Sequence, residues 1–223
     1  MGRTRLKVCC IASPAEASLA ISAGADALGL VGEMPTGPGV ISDEVAREVA
    51  VFASPPVASW LLTSEPDGPG ILAHARRCAV GTVQIVRHVE PEVHRWLANK
   101  APWLRRVQVI HVEGSEAMGT LEEYRDLPHA YLLDSGRPSR DELGGTGRAH
   151  DWDVSAAIVA RSSRPVFLAG GLHPDNIAQA VETVRPFGVD VCSGLRTSDR
   201  LDTEKLTRFA NVLATARPVF GRL

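Results

Sequence analysis

The 223-residue sequence contains no apolar run of the ~18 residues that a membrane-spanning helix requires. Its basic opening, residues 1–7, is not followed by the long apolar segment of a secretory signal. Cysteine is sparse. Cys9, Cys10, Cys78 and Cys192 form no CxxC pair, and no His/Cys cluster has metal-ligand spacing, so no metal site is expected. The adjacent Cys9 and Cys10 are poorly placed to bond to each other, and reduced thiols in the cytoplasm fit best. A formal net charge of −2 gives no bulk field to attract nucleic acid or a membrane surface. Lysine is scarce, with three residues against 21 arginines. Arginine suits planar contacts with carboxylate or phosphate, although genomic base composition produces the same bias.

What is present is a regular alternation of short apolar runs, turns and amphipathic segments. Hydrophobic residues make up 44% and charged residues 22%, as in an ordinary globular chain able to bury a core without staples. Strands are expected at 6–11, 27–31, 57–62, 82–86, 107–110, 130–133, 166–169 and 189–192. Helices are expected after each. Pro14, Pro91 and Pro174 open three of them, and Ser42 caps another. Helix Glu90-Pro91 onward should pack Val93, Trp96 and Leu97 inward. Alternation of this kind implies a parallel sheet with helical crossovers. Eight units in ~200–250 residues favour closure into a (β/α)8 barrel. The competing open doubly wound sheet lacks its dinucleotide signature, a GxGxxG turn after the first strand. With no linker in view, residues 1–223 are read as one α/β domain.

In such a barrel the chemistry sits at the C-terminal ends of the strands. That rule selects Cys9 and Cys10 on strand one, Arg87 and His88 after strand four, His111 on strand five and Asp134 on strand six. It also selects Gly170-Gly171 after strand seven and Ser193-Gly194 after strand eight. Glycines in the last two turns let backbone N–H groups approach an anion, and phosphate often binds there. Asp134 can act as a general acid, cap a helix or pair with Arg137 or Arg140. Cysteine in a strand is ordinarily a small buried hydrophobe. Strand alternation sends Cys9 and Cys10 to opposite faces, so at most one of them should reach an interior site. His88, His111 and His173 read as structural or solvent-facing residues.

Together these segments resemble the phosphoribosylanthranilate isomerase family along nearly the whole chain. KVCCI at 7–11 is similar to that family's KICGI, and GADALGL at 24–30 to its GADAxGF. Val83-Gln84 matches the VQ of its VQLHG. The most specific match is LLDS at 132–135, GGTG at 144–147 and then Asp151-Trp152, which resembles LLD…GGTGxxFDW. LAGGL at 168–172, Pro174, Asn176 and GVDVCSG at 188–194 complete the series.

The resemblance implies a cytoplasmic isomerase of tryptophan biosynthesis. It would perform an Amadori rearrangement of a phosphorylated small molecule, as monomer or homodimer, with no cofactor. Asp134 would be the general acid and Cys9 the general base. Gly170, Gly171, Ser193 and Gly194 would hold the phosphate, and Lys7, Gln84, Arg87 and Arg196 would contact the rest of the substrate. The segment 136–147 would border the site and exclude water on closing. Several positions depart from the family pattern. Cys10 replaces a glycine, Arg87-His88 replace His-Gly, and CSGLR at 192–196 replaces SSGVE. The loop after strand two reads Pro35-Thr36-Gly37-Pro38-Gly39 and lacks the family's SPR arginine, which meets the anthranilate carboxylate. Arg87 or Arg196 is therefore expected to supply that charge. The alternatives are the same chemistry on another phosphorylated sugar, or a silent barrel that binds a phosphometabolite.

Overall fold

The computed structural model describes residues 3–35, 37–135 and 151–216. Thr36, the segment 136–147 and its GGTG motif lie outside the described residues. Eight parallel strands close into a barrel in sequential order, β1 to β8, and β1 pairs with β8 at the seam. The strands are β1 Arg5–Val8, β2 Ala27–Val31, β3 Ala58–Thr63, β4 Thr82–Ile85, β5 Arg105–His111, β6 Ala130–Asp134, β7 Val166–Leu168 and β8 Gly188–Val191. Eight helices cover them: α1 Pro14–Ser22, α2 Asp43–Phe52, α3 Gly68–Arg77, α4 Pro91–Lys100, α5 Ala117–Glu123, α6 Trp152–Arg161, α7 Ile177–Val184 and α8 Thr203–Thr215. Among the described residues, no helix is long and apolar enough to cross a membrane.

Local chemistry explains the helix starts. Ser13, Ser42, Asp67, Asp151 and Asp202 each accept a hydrogen bond from a first-turn amide through the side chain. Such a cap is typically worth ~1 kcal/mol. Strand alternation then sorts the core into two layers. Leu6, Val8, Leu28, Leu30, Leu61, Val83, Ile85, Leu133, Val189 and Val191 face the helices. Cys9, Ala27, Trp60, Leu62, Val107, Val109, Leu132 and Phe167 face the barrel axis. Trp60 and Phe167 meet edge-to-face at 4.9 Å and plug the lower barrel, which confines any cavity to the upper end.

Some boundaries differ from expectation for identifiable reasons. β5 begins two residues early, because Arg106 is buried and its guanidinium donates to the carbonyls of Leu104 and Leu127. α7 begins at Ile177 rather than Pro174. There the Asn176 side chain accepts from the His173 amide and donates to the Gly171 carbonyl, holding the turn open. A two-residue hairpin, β9 Arg196–Thr197 with β10 Arg200–Leu201, is too short to leave a periodic signal. On α4 Leu97 is fully buried, and Val93 and Trp96 pack beside it.

A polar clamp ties α2 to α3. Thr63 Oγ1 lies 3.0 Å from His74 Nδ1, His74 Nε2 lies 3.0 Å from an Asp43 oxygen, and the Cys78 thiol donates to the same carboxylate at 3.4 Å. Arg77 pairs with its other oxygen. The His, Cys and carboxylate atoms lie within 4.8 Å of one another, a grouping that sequence spacing does not reveal because Asp43 is remote from His74 and Cys78. Burial, with Asp43 adding to it, pushes the Cys78 thiol up to about 12. It therefore stays protonated and serves as a donor. Asp43→Ala strands the His74 and Cys78 donors, so urea denaturation should show a loss of about 1–3 kcal/mol. An unchanged midpoint would mean that the clamp contributes nothing to stability.

Candidate active site

A cavity opens at the C-terminal mouth of the barrel. Its wall includes Cys9 beyond β1, Gln84 of β4, Asp134 at the end of β6, Asp190 of β8, Gly170 and Gly171 after β7, and Ser193 after β8. Thus a thiol from the first strand region and a carboxylate from the sixth face one space, beside two glycine-bearing turns. Gly170 and Gly171 have φ of 84° and 63°, a left-handed conformation that side chains resist. The first turn beyond β8 is a short 3-10 helix, Ser193–Leu195. Gly194 lies just behind the wall, where a Cβ would come within 2.0 Å of the Leu172 carbonyl. Glycine there lets the two turns touch.

Beneath Cys9 lies a buried ion pair. Lys7 is wholly inaccessible, and its Nζ donates to Asp190 at 2.8 Å. The Cys9 sulfur lies close enough to raise the Lys7 ammonium electrostatically, and Nζ sits 5.6 Å from the Trp60 ring centre. Burial works against the Lys7 charge, but Asp190 and Cys9 outweigh it and hold the ammonium above its usual range. Burial pushes the Asp190 carboxyl upward, and Lys7 opposes that. Its second oxygen has no hydrogen-bond partner and borders the cavity; the Gln84 amide oxygen is equally unpartnered. Asp134 accepts from the Ser135 amide at 2.7 Å through one oxygen, which leaves the other for a ligand.

Three expectations change. At most one of Cys9 and Cys10 is expected to reach an interior site, yet both border the same cavity. β1 ends at Val8, and Cys10 takes φ of 61°, so strand alternation no longer applies. Lys7 lies under the cavity and does not line it. Neither Arg196 nor Arg87 reaches the wall. Arg196 is committed to Glu16 at 3.1 Å and to the carbonyls of Cys10 and Asp199. Arg87 is exposed and donates to the Ser64 carbonyl. Among the described residues no lysine or arginine lines the cavity, and the side beyond β2 presents Met34, Gly37 and Pro38. Of the histidines, His88 and His173 are exposed, and the His111 ring nitrogen bonds the Val86 carbonyl at 2.8 Å.

The model of the N-(5′-phosphoribosyl)anthranilate (PRA) isomerase family matches residues 6–212. The chain belongs to that family. It is 36% identical over 222 residues to the N-(5′-phosphoribosyl)anthranilate isomerase of Haloferax volcanii, covering 96% of this chain and 95% of that one. The crystal structure of phosphoribosyl anthranilate isomerase from Thermotoga maritima superposes with a TM-score of 0.80 at 30% identity, covering 94% and 98%. Another member of the isomerase family, crystallised with reduced 1-(O-carboxyphenylamino)-1-deoxyribulose 5-phosphate, gives 0.78 at 28% identity, with the same coverage.

Residues missed from sequence were Asp190 and Gly29. Asp190 was legible only as part of an apolar strand. Gly29 faces inward from β2, where a Cβ would lie 2.7 Å from Cys9 Sγ and 2.9 Å from Lys7 Nζ. Its lack of a side chain is what lets the thiol and the ammonium meet. Gly29→Ala should therefore cost about 1–3 kcal/mol by overpacking. Gly81→Ala, where a Cβ meets nothing within 4 Å, is the control. Equal melting temperatures for the two variants would contradict the close fit around Cys9.

Proposed function

We propose that this chain isomerises N-(5′-phosphoribosyl)anthranilate to its open-chain ketose, with Asp134 as general acid and Cys9 as general base. The carrying observation is that both side chains line one cavity beside the turns after β7 and β8. The phosphate would sit against the backbone of Gly170, Gly171, Ser193 and Gly194, where mobile side chains are absent and amides can approach closely. This anchors the sugar with its ring between the two catalytic groups.

The steps balance as proton transfers. Asp134 gives a proton to the furanose ring oxygen through the carboxyl oxygen not held by Ser135. The C1′–O bond breaks, and the nitrogen lone pair forms a C1′=N bond. Cys9, as thiolate, removes the proton from C2′. The C2′–H electrons form a C1′=C2′ double bond, and the former iminium nitrogen becomes a neutral enamine. Tautomerisation then yields the ketone at C2′. Lys7 keeps a positive charge against the sulfur while it is anionic, and Asp190 fixes that ammonium in place. Cys9 and Asp134 are the catalytic residues; Lys7 is a positioning residue. Asp190 carries an oxygen with no internal partner at the cavity wall, suited to accept from a sugar hydroxyl.

The test is complementation of a tryptophan auxotroph that lacks this isomerase, followed by kinetics. The parent chain should restore growth. Cys9→Ala and Asp134→Asn should each reduce kcat by about 10²–10⁴-fold, the usual contribution of a positioned acid or base. Equal turnover in either variant would remove that residue from the reaction.

A further inference from the structure

Cys10 and Cys192 are drawn into the cavity wall but have no part in the proton transfers. Both are free thiols, and their sulfurs lie 2.6 Å apart. They meet at the seam of the barrel, where β1 and β8 pair in parallel and the Cys9 amide donates to the Val191 carbonyl at 2.8 Å. Packing holds Cys10 on this spot. Its Sγ lies 3.7 Å from the Pro38 carbonyl, and a Cβ on Gly39 would come within 2.6 Å of the Cys10 Cβ. The left-handed backbone at Cys10 turns its thiol off the outer face and toward Cys192. A disulfide requires an S–S separation of about 2.05 Å, so the bond forms by sub-ångström movement of two side chains.

We infer that Cys10 and Cys192 form an oxidisable dithiol site, which a small hydroperoxide converts to a disulfide that staples the barrel seam and leaves Cys9 reduced. Cys192 is the sulfur that reacts first. Both sulfurs border the open cavity, but Cys192 is half-buried whereas Cys10 is buried. The two thiols share a hydrogen bond and Arg196 lies beside Cys192, which together hold the Cys192 thiol below its ordinary range. The Cys192 thiolate attacks the peroxide oxygen, the O–O bond breaks, and hydroxide leaves to become water. The resulting sulfenic acid is attacked by Cys10 sulfur. The S–S bond forms, the S–O bond breaks, and a second water leaves with the Cys10 proton. The two thiols lose two electrons and the peroxide gains them. Cys9 is the third sulfur of the group. It is next to Cys10 in sequence, and adjacent residues pair poorly in a disulfide.

The link joins positions 182 residues apart, and closing a loop of that length restricts the unfolded chain strongly. The test treats the full chain with stoichiometric hydrogen peroxide, alkylates it without denaturant, and maps the peptides by mass spectrometry. The expected product lacks two hydrogens, joins the Cys10 and Cys192 peptides, and returns to the dithiol with dithiothreitol. Its melting temperature should rise by roughly 5 °C or more. Cys10→Gly suits the left-handed backbone, and Cys192→Ser is nearly isosteric, so both variants should fold. Neither should form the link. In C10G the sulfenic acid at Cys192 should be captured by dimedone. A bond to Cys9, dimedone capture at Cys9 in place of Cys192, or unlinked peptides after oxidation would each overturn the inference.

Discussion

Lys7 and Asp190 hold opposite charges where solvent does not reach, and the upper half of the barrel is organised around that contact. Taking two ions out of water costs several kcal/mol each, and only close pairing with further hydrogen bonds offsets it. Here the pair meets at 2.8 Å across the β1–β8 seam, in the register that sets Lys7 opposite Asp190. Removing one partner would leave an uncompensated buried charge, a loss of about 3–5 kcal/mol in comparable cases. An arrangement so costly to break holds the ammonium at one point. Cys9 and the Trp60 ring are stationed around that point.

The remaining features of the site accommodate this pair. Gly29 leaves out a side chain so that the ammonium and the thiol can touch. Trp60 and Phe167 close the barrel below, so the low-dielectric floor strengthens the field at Cys9. Above, the β7 and β8 turns and Asp134 complete a cavity that both groups line. The seam thus carries the ion pair, the thiol and the Cys10–Cys192 contact within one stretch of each strand.

The architecture was legible in the sequence because its signals are local. Apolar runs, proline at helix starts and serine caps each depend on a few neighbouring residues, and the eight strands and eight helices follow their order closely. The family membership was legible for the same reason, in motifs such as KVCCI and GVDVCSG. What escaped depends on contacts between distant residues. The expectation that at most one of Cys9 and Cys10 reaches the interior failed because the position of a strand end is set by tertiary pairing. Arg196 was assigned to the cavity because its neighbours in sequence line it, while its partner Glu16 lies on α1, 180 residues away. Arg87 likewise follows β4 but turns to Ser64. Among the described residues, neither arginine lines the cavity in place of the family arginine missing after β2.

In the proposed mechanism the Lys7 charge, fixed by Asp190, supports Cys9 as the base. Replacing both together, Lys7→Met with Asp190→Asn, removes the ion pair without leaving a buried charge unpaired. The decisive measurement is kcat/KM for this double variant and the parent, with melting temperature confirming that both are folded. The proposed mechanism predicts at least about a tenfold loss in the double variant. A parent-like kcat/KM in the folded double variant would contradict it.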